Sequence, residues 1–273
     1  MVDAISTAVT AVFDLLLKPF GAHVGLALAV VSSICGAVMI AIVRATSDQA
    51  RIRRTRQRFQ AHLLEIRIYA DDPARIVKAL GAALVDNLVH ARQMLVPLLA
   101  AGVLVAIVYV QLDARFARSP LGVRDAALVT VTCRAGVDVL GGDLSLATDD
   151  GARVDAPPVR VPAEREVSWR VRVTRAGRRS MTLGVGEATY RFTVAAAPGT
   201  NVVGAVRSRV PLDRLVHPGL PALPDDLPIE RVAVRYPPAE HDLFGWRLPW
   251  LLPFVVWSLA GGLASKLLLR VEL

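Results

Sequence analysis

The sequence predicts an α-helical membrane protein with three transmembrane helices, a cytoplasmic helical hairpin and an extracytoplasmic all-β, immunoglobulin-like sandwich. Three observations lead to this fold class. Three apolar stretches, Val24–Val43, Met94–Val110 and Leu248–Ala264, approach the roughly 20 residues that a helix needs to cross about 30 Å of hydrocarbon. The segment between the first two stretches is rich in arginine, and the segment between the last two alternates apolar and polar residues.

The composition fits a membrane part joined to a soluble part. Hydrophobic residues fill 53% of the 273 positions and the mean hydropathy is +0.45, which is too apolar for an ordinary soluble domain. Charged residues make up 21% of the chain, which is too many for a purely transmembrane bundle. The net charge of +8 comes mainly from arginine, which beside membrane spans sets orientation, so we expect no DNA partner. Cys35 lies in the first span and Cys133 in the later segment, so no disulfide is expected.

An arginine cluster directly after the first apolar stretch determines the predicted orientation. A secretory signal carries its positive charge before the apolar run, so this order favours a retained span. Because cytoplasmic loops are enriched in Lys and Arg, we place the cluster in the cytoplasm and the N-terminus outside. The long segment from Gln111 to Trp246 is then extracytoplasmic, and the C-terminus of this multi-pass inner-membrane protein is cytoplasmic. The cluster consists of Arg51, Arg53, Arg54, Arg56 and Arg58.

The leader before span one has apolar residues at helical spacing, and Pro19-Phe20-Gly21 ends the pattern. The residues are Ile5, Ala8, Val9, Val12, Phe13 and Leu16. They predict a short amphipathic helix in the outer membrane interface. A frayed start of span one remains the alternative.

The segment after span one predicts two antiparallel helices, a coiled-coil-like hairpin. Ser47-Asp48 caps the first helix, which runs to about Tyr69, and Asp71-Asp72-Pro73 ends it and starts the second. The second helix continues toward span two, where Pro97 should introduce a kink. We expect two apolar stripes to pack together: Ile52, Phe59, Leu63 and Ile66 on the first helix, and Ile76, Leu80, Leu84 and Leu88 on the second.

The hairpin arginines, the turn Glu65–Pro73 and the early proline in Met94–Pro97 carry a family resemblance. With an N-out first span and a third span, they resemble the three-helix core of the YidC/Oxa-type insertase superfamily. The likeness is greatest to its compact branch, which includes archaeal relatives and the third subunit of the eukaryotic ER membrane protein complex. The resemblance implies a hydrophilic groove, open to cytoplasm and lipid, that helps polar chain segments cross the bilayer. The bacterial insertases place an arginine in this groove, whereas no lysine or arginine lies mid-span here.

Two sets of candidate site residues each have a structural and a functional interpretation. Arg51, Arg53, Arg54, Arg56 and Arg58 either fix topology and touch lipid headgroups, or meet an anionic partner such as ribosomal RNA or an acidic nascent chain. The main hydroxyls within the spans are Ser32, Ser33 and Ser258. These hydroxyls either contribute to a polar intramembrane groove or permit close helix packing, together with Gly261-Gly262.

Period-two alternation predicts about six or seven strands between Ala126 and Ala197, with Trp169 central to the core. Turn signals recur at Gly141-Gly142, Asp149-Asp150-Gly151, Ala176-Gly177 and Pro198-Gly199. Prolines make 211–228 a stiff connector, followed by a last strand Ile229–Tyr236. Trp246 and Trp250 should anchor span three at the outer interface. A set of arginines forms either a solvated sheet face or a contact for anionic lipid or protein: Arg170, Arg172, Arg175, Arg178, Arg179 and Arg191.

These elements define the predicted domains. They are an interfacial helix over 1–21, spans over 22–44, 93–112 and 246–268, a hairpin over 45–92, a β-domain with its connector over 113–245, and a cytoplasmic tail over 269–273.

No pattern in the sequence supports catalysis. The histidines His23, His62, His90, His217 and His241 have no pair at metal-ligand spacing, and no nucleophile elbow or nucleotide fingerprint has a convincing context. We therefore expect no enzyme activity, no metal and no cofactor. The leading hypothesis is an insertase-like membrane chaperone whose partners are the lipid bilayer and nascent membrane proteins or the ribosome. The alternative is a membrane-anchored scaffold whose β-domain binds an envelope protein.

Overall fold

The computed structural model describes residues 2–21, 23–69, 71–141, 144–197, 202–221 and 223–269. The chain divides into two compact units. The β unit comprises Met1–Leu28 and Tyr109–Pro253, and the helical unit comprises Ala29–Val108 and Phe254–Leu273. The predicted turns at Gly141-Gly142 and Pro198-Gly199 lie partly or wholly outside the described residues, as do residues 270–273 of the predicted tail.

Six α-helices occur in the described part of the chain. They are α1 Val2–Leu17, α2 Val24–Thr46, α3 Gln49–Ile68, α4 Pro73–Phe116, α5 Pro211–Val216 and α6 Leu251–Leu269, with a 3₁₀ turn Lys18–Phe20 after α1. Helices α2, α4 and α6 are long and apolar enough to cross a membrane. Of the 18 most apolar consecutive residues in each helix, only 33% in α2, 28% in α4 and 17% in α6 are buried. Most of the apolar surface of these helices is therefore not covered by the chain. Such surface suits contact with lipid, and the three helices are consistent with a multi-pass membrane protein.

The second and third candidate spans have different bounds from those predicted. The second arm of the hairpin and span two form one helix, α4, which continues through Pro97. Span three begins at Leu251 rather than at 246, because residues 246–249 form a strand. That strand pairs with 240–243, and the turn between them has positive φ at Phe244 and Gly245, as a two-residue hairpin turn requires. Trp246 is exposed within this strand, and Trp250 is buried.

The β unit contains a separate antiparallel β-sheet region, as predicted. Its strands are β1 Ala126–Cys133, β2 Leu144–Thr148, β3 Ala152–Val154, β4 Val159–Val161, β5 Glu166–Val173, β6 Gly177–Val185, β7 Ala188–Ala196, β8 Val206–Ser208, β9 Ile229–Arg235, β10 Glu240–Leu243 and β11 Trp246–Pro249. One sheet has the order β3-β5-β1-β9-β8, with β4 also paired to β5. A second sheet has the order β2-β6-β7, and β10-β11 form a hairpin. The seven strands β1–β7 match the number predicted between Ala126 and Ala197.

The alternating residues of the two larger sheets contribute to one hydrophobic core. Trp169 on β5, Val131 on β1 and Phe192 on β7 are buried, while their neighbours along each strand are more exposed. The period-two alternation predicted for these strands is therefore confirmed. The arginines considered as one sheet face are divided between the two larger sheets. Arg170 and Arg172 of β5 pair with Asp155, at 3.3 and 2.7 Å, and β6 and β7 carry Arg178 and Arg191.

Two further elements differ from prediction. The connector contains the short helix α5, which begins at Pro211, a residue that is tolerated in a first helical turn because no N–H partner is lost. The amphipathic leader forms α1, and the face that packs within the β unit against α5 only partly matches the predicted one. Phe13 and Leu17 of α1 are buried, whereas Leu16 is exposed.

Candidate functional site: a basic groove on the helical hairpin

Side-chain caps fix where both helices of the hairpin, α3 and α4, begin. The Asp48 carboxylate accepts a hydrogen bond of 3.0 Å from the backbone N–H of Arg51 at the start of α3. Asp72 does the same for α4, accepting from the N–H groups of Ala74 and Arg75 at 3.1 and 3.2 Å. The Arg75 guanidinium also lies 4.6 Å from the centroid of the Tyr69 ring. These contacts confirm the predicted turn.

The seam between the two helices differs from the predicted leucine stripe. Leu80, Leu84 and Leu88 are exposed, and the buried positions in the hairpin arm of α4 are Ala79 and Ala83. Leucines four residues apart drift around a helix of 3.6 residues per turn, so they leave the contact after a few turns. Small alanines instead let the two backbones approach closely. The leucines of α4 consequently form an exposed apolar face on the hairpin.

Polar groups continue the same seam toward span two. The Gln93 Nε2 donates a hydrogen bond of 3.2 Å to the Thr55 hydroxyl, which in turn donates to the Arg51 carbonyl at 3.1 Å. Nearer the turn, His62 Nε2 lies 3.5 Å from Asp86 Oδ2. The Gln93 Oε1 is buried and has no hydrogen-bond partner within the described part of the chain. A buried acceptor of this kind is costly unless a ligand or water reaches it.

Beside this seam, α3 and α4 form a groove of about 620 Å³, called the basic groove from here on. It is lined by Arg51, Arg54, Thr55, Arg58, Val89, Arg92 and Gln93. Three predicted arginines line the groove because the spacing i, i+3, i+7 places them on one side of α3. Arg53 and Arg56 do not line it. Arg92 was not predicted, because it is on α4 and reaches the groove only through the hairpin fold.

The basic groove has excess positive charge. Within the described ranges, no carboxylate forms an ion pair with Arg51, Arg58 or Arg92. The Arg54 Nε donates to the Ala50 carbonyl at 3.3 Å, which satisfies one donor without neutralising the charge. Several unneutralised guanidinium groups in one concavity attract anions and offer paired donors for phosphate or carboxylate.

Two serines of the candidate spans, Ser33 and Ser258, lie at a close contact between α2 and α6. Ser33 Oγ donates to Ala29 O at 2.8 Å, in its own helix, and lies 3.3 Å from Trp257 O of α6. Ser258 Oγ donates to Val255 O at 3.0 Å, and Ser32 is fully buried. These bonds are what the close-packing alternative predicts, because each hydroxyl satisfies a backbone carbonyl of the preceding turn.

Comparisons with known proteins found no match to a protein-family model, a curated protein or a solved structure. The resemblance to the YidC/Oxa-type superfamily therefore stays a prediction. No group of three His, Cys, Asp or Glu side chains able to hold a metal ion occurs among the residues that the structure describes. The basic groove and the exposed apolar face of α4 are the features from which a function can be argued.

Proposed function

We propose that this chain is an insertase-like membrane chaperone of the YidC/Oxa type, which assists insertion or folding of membrane proteins and is not an enzyme. The observation that carries the proposal is the pairing of two surfaces on one hairpin. The basic groove offers unneutralised arginines, and α4 exposes Leu80, Leu84 and Leu88. A nascent membrane segment is apolar with charged flanks, and ribosomal RNA is anionic, so this combination suits either partner.

The proposed topology has the N-terminus outside, the hairpin in the cytoplasm and the β-domain outside an inner membrane. If α2 and α4 both span, the chain crosses the membrane twice between α1 and the β strands, and this even number of crossings puts them on one side. Contacts between these two segments support that arrangement, because Arg115 Nη2 at the end of α4 pairs with Asp14 of α1 at 2.6 Å. The arginine content of α3 supports the cytoplasmic location of the hairpin.

We further propose that the β-domain is an immunoglobulin-like sandwich. The two larger sheets are antiparallel and contribute buried side chains to one core, with Trp169 among them. Such a module would give the exported part of the chain a rigid surface for a partner in the envelope.

In the proposed mechanism, the hairpin receives the client and the three spans provide a locally thinned, partly hydrated path. The apolar face of α4 contacts the hydrophobic segment while the arginines of the basic groove hold the anionic flank or ribosomal RNA. Because α4 runs without a break from the hairpin into span two, a client bound to its cytoplasmic part is already in line with the membrane.

A scaffold is the second candidate, and the serine contacts favour it. Ser33 and Ser258 bond backbone carbonyls, so their hydroxyls are engaged in helix packing. If the spans only anchor the chain, the β-domain is the functional part and binds an envelope protein.

Two double variants of equal charge separate these candidates. Arg51→Glu/Arg54→Glu reverses two charges inside the basic groove, and Arg53→Glu/Arg56→Glu reverses two on the same helix outside it. In cells depleted of the wild type, we measure insertion of short-tailed membrane substrates. The proposal predicts that only the second variant restores insertion. Unchanged insertion after depletion rules out the insertase role, and equal loss in both variants indicates an effect of charge on topology alone.

A further inference from the structure

A buried arginine lies in the β unit, far along the sequence from the hairpin. Arg207 is the middle residue of β8 and is only 3% exposed. Its Nη2 donates a hydrogen bond of 2.8 Å to the carbonyl of Thr193 on β7, and its Nη1 donates to Gly204 O at 3.4 Å. The guanidinium carbon lies 5.1 Å from the centroid of the Phe192 ring. These contacts fix the guanidinium against the outer edge of β7.

The charge of Arg207 has no counterion in the described part of the chain. No carboxylate forms an ion pair with it there, and its two hydrogen bonds use only part of the five N–H donors of a guanidinium. Burial lowers the pKa of Arg207, and it raises the pKa of the neighbouring Tyr190 and Tyr236 phenols. A buried cation without an anion is costly, so an anion that reaches it would be bound favourably.

The surroundings of Arg207 form a pocket of about 370 Å³ within the β unit, called the Arg207 pocket. Exposed Arg178 of β6 and Arg191 of β7 also line it, and Leu220 and Pro221 provide an apolar wall. The wall comes close because Gly204 has no side chain: a Cβ there would lie 2.7 Å from a Leu220 methyl group.

One carboxylate also lines the Arg207 pocket, and its charge is already matched. The Asp14 Oδ1 accepts a hydrogen bond of 2.6 Å from Arg115 Nη2, whose side chain is fully buried. Three arginines from three different strands therefore remain as the excess charge of the pocket.

We propose that the Arg207 pocket binds a phosphate-bearing anion, with Arg207 as the deep ligand and Arg178 and Arg191 as outer ligands. A tetrahedral phosphate accepts hydrogen bonds from several directions, which suits guanidinium groups carried by β6, β7 and β8, whereas a planar carboxylate is satisfied by one bidentate arginine. The phosphate can belong to a lipid headgroup or to a soluble molecule. This proposal is independent of the insertase role, because every residue of the pocket lies outside the hairpin.

The test uses the full-length protein and two phosphate sources. Binding of inorganic phosphate is measured by calorimetry in a neutral detergent, and lipid binding is measured as lipid retained from nanodiscs of phosphatidylcholine with or without phosphatidylglycerol. The variants are Arg207→Gln, Arg191→Gln and the control Arg175→Gln, which removes an exposed arginine outside the pocket. We expect Arg191→Gln to weaken binding by about tenfold and Arg207→Gln to abolish it, while the control binds like the wild type.

Each outcome decides the proposal. Phosphate binding in detergent supports a soluble ligand, and selective retention of phosphatidylglycerol without it supports a lipid headgroup. If Arg207→Gln fails to fold, the test depends on the binding affinity of Arg191→Gln compared with that of Arg175→Gln. The proposal is overturned if the wild type binds neither source, or if Arg191→Gln and Arg175→Gln behave alike.

Discussion

The close contact between α2 and α6 at Gly36 predicts that a larger residue at this position destabilises the protein. A Cβ added at Gly36 would lie 1.9 Å from the Ser258 carbonyl oxygen, where ordinary van der Waals contact begins at 3.4 Å. The obstructing atoms are backbone, so they cannot rotate away and the two helices have to separate. Overpacking of this kind costs about 1–3 kcal/mol. Separation also lengthens the 3.3 Å contact from Ser33 Oγ to Trp257 O, and such interhelical bonds contribute about 0.6 kcal/mol.

The matched control is Gly102→Ala in α4, where an added Cβ meets no atom within 4 Å. Both substitutions gain the same helix propensity, about 1 kcal/mol, so their difference isolates the clash. Unfolding of the purified protein is followed by circular dichroism during titration of mixed micelles with sodium dodecyl sulfate. We expect Gly36→Ala to be less stable than Gly102→Ala by at least about 1 kcal/mol. Equal stability of the two variants would refute the close packing of α2 on α6.

Three more predictions concern the β unit. Arg172 donates hydrogen bonds to Asp155 and lowers the pKa of that carboxyl, so the stabilisation is present at neutral pH and is lost as pH falls below about 4. Asp155→Asn should therefore lower the melting temperature at pH 7, with a difference that shrinks in acid; a constant difference contradicts the ion pair. Arg115→Met should cost about 1–3 kcal/mol and expose α1 to limited proteolysis, since it removes the donors to Thr10 O and Asp14; an unchanged cleavage pattern contradicts this. Trp169→Ala should cost about 3–5 kcal/mol in thermal unfolding, and a loss below about 1 kcal/mol would mean that Trp169 is not a core residue.

Local patterns predicted the parts of the fold in which local and tertiary preferences agree. Strands β1, β5 and β7 alternate with period two, and the structure buries the expected face of each. The three candidate spans were identified from apolar length alone, because hydrocarbon thickness sets a minimum that few soluble helices reach. Asp48 and Asp72 correctly predicted the starts of α3 and α4, because a side-chain cap bonds an N–H group within three residues along the chain.

Features that depend on tertiary packing were missed. Ala79 and Ala83, rather than the leucines, are the buried residues on the hairpin arm of α4. Their small side chains let the backbones of the two helices approach closely. The β10-β11 hairpin was not predicted, since its turn contains Phe244 before Gly245 instead of a strong Asn-Gly signal. The contribution of Arg92 to the basic groove depends on how α3 packs on α4. By contrast, helix α5 could have been predicted from the sequence, because Pro211 followed by Asp213 is typical of a first helical turn.

Labelling of single cysteines checks the proposed topology, in which the hairpin and the β-domain lie on opposite sides of a membrane. Gln60→Cys on α3 and Arg175→Cys between β5 and β6 introduce exposed thiols, and both native cysteines are buried. Spheroplasts are treated with a membrane-impermeant maleimide before and after lysis. In this topology Arg175→Cys reacts in intact spheroplasts and Gln60→Cys reacts only after lysis. Labelling of Gln60→Cys in intact spheroplasts, with Arg175→Cys protected, would contradict it.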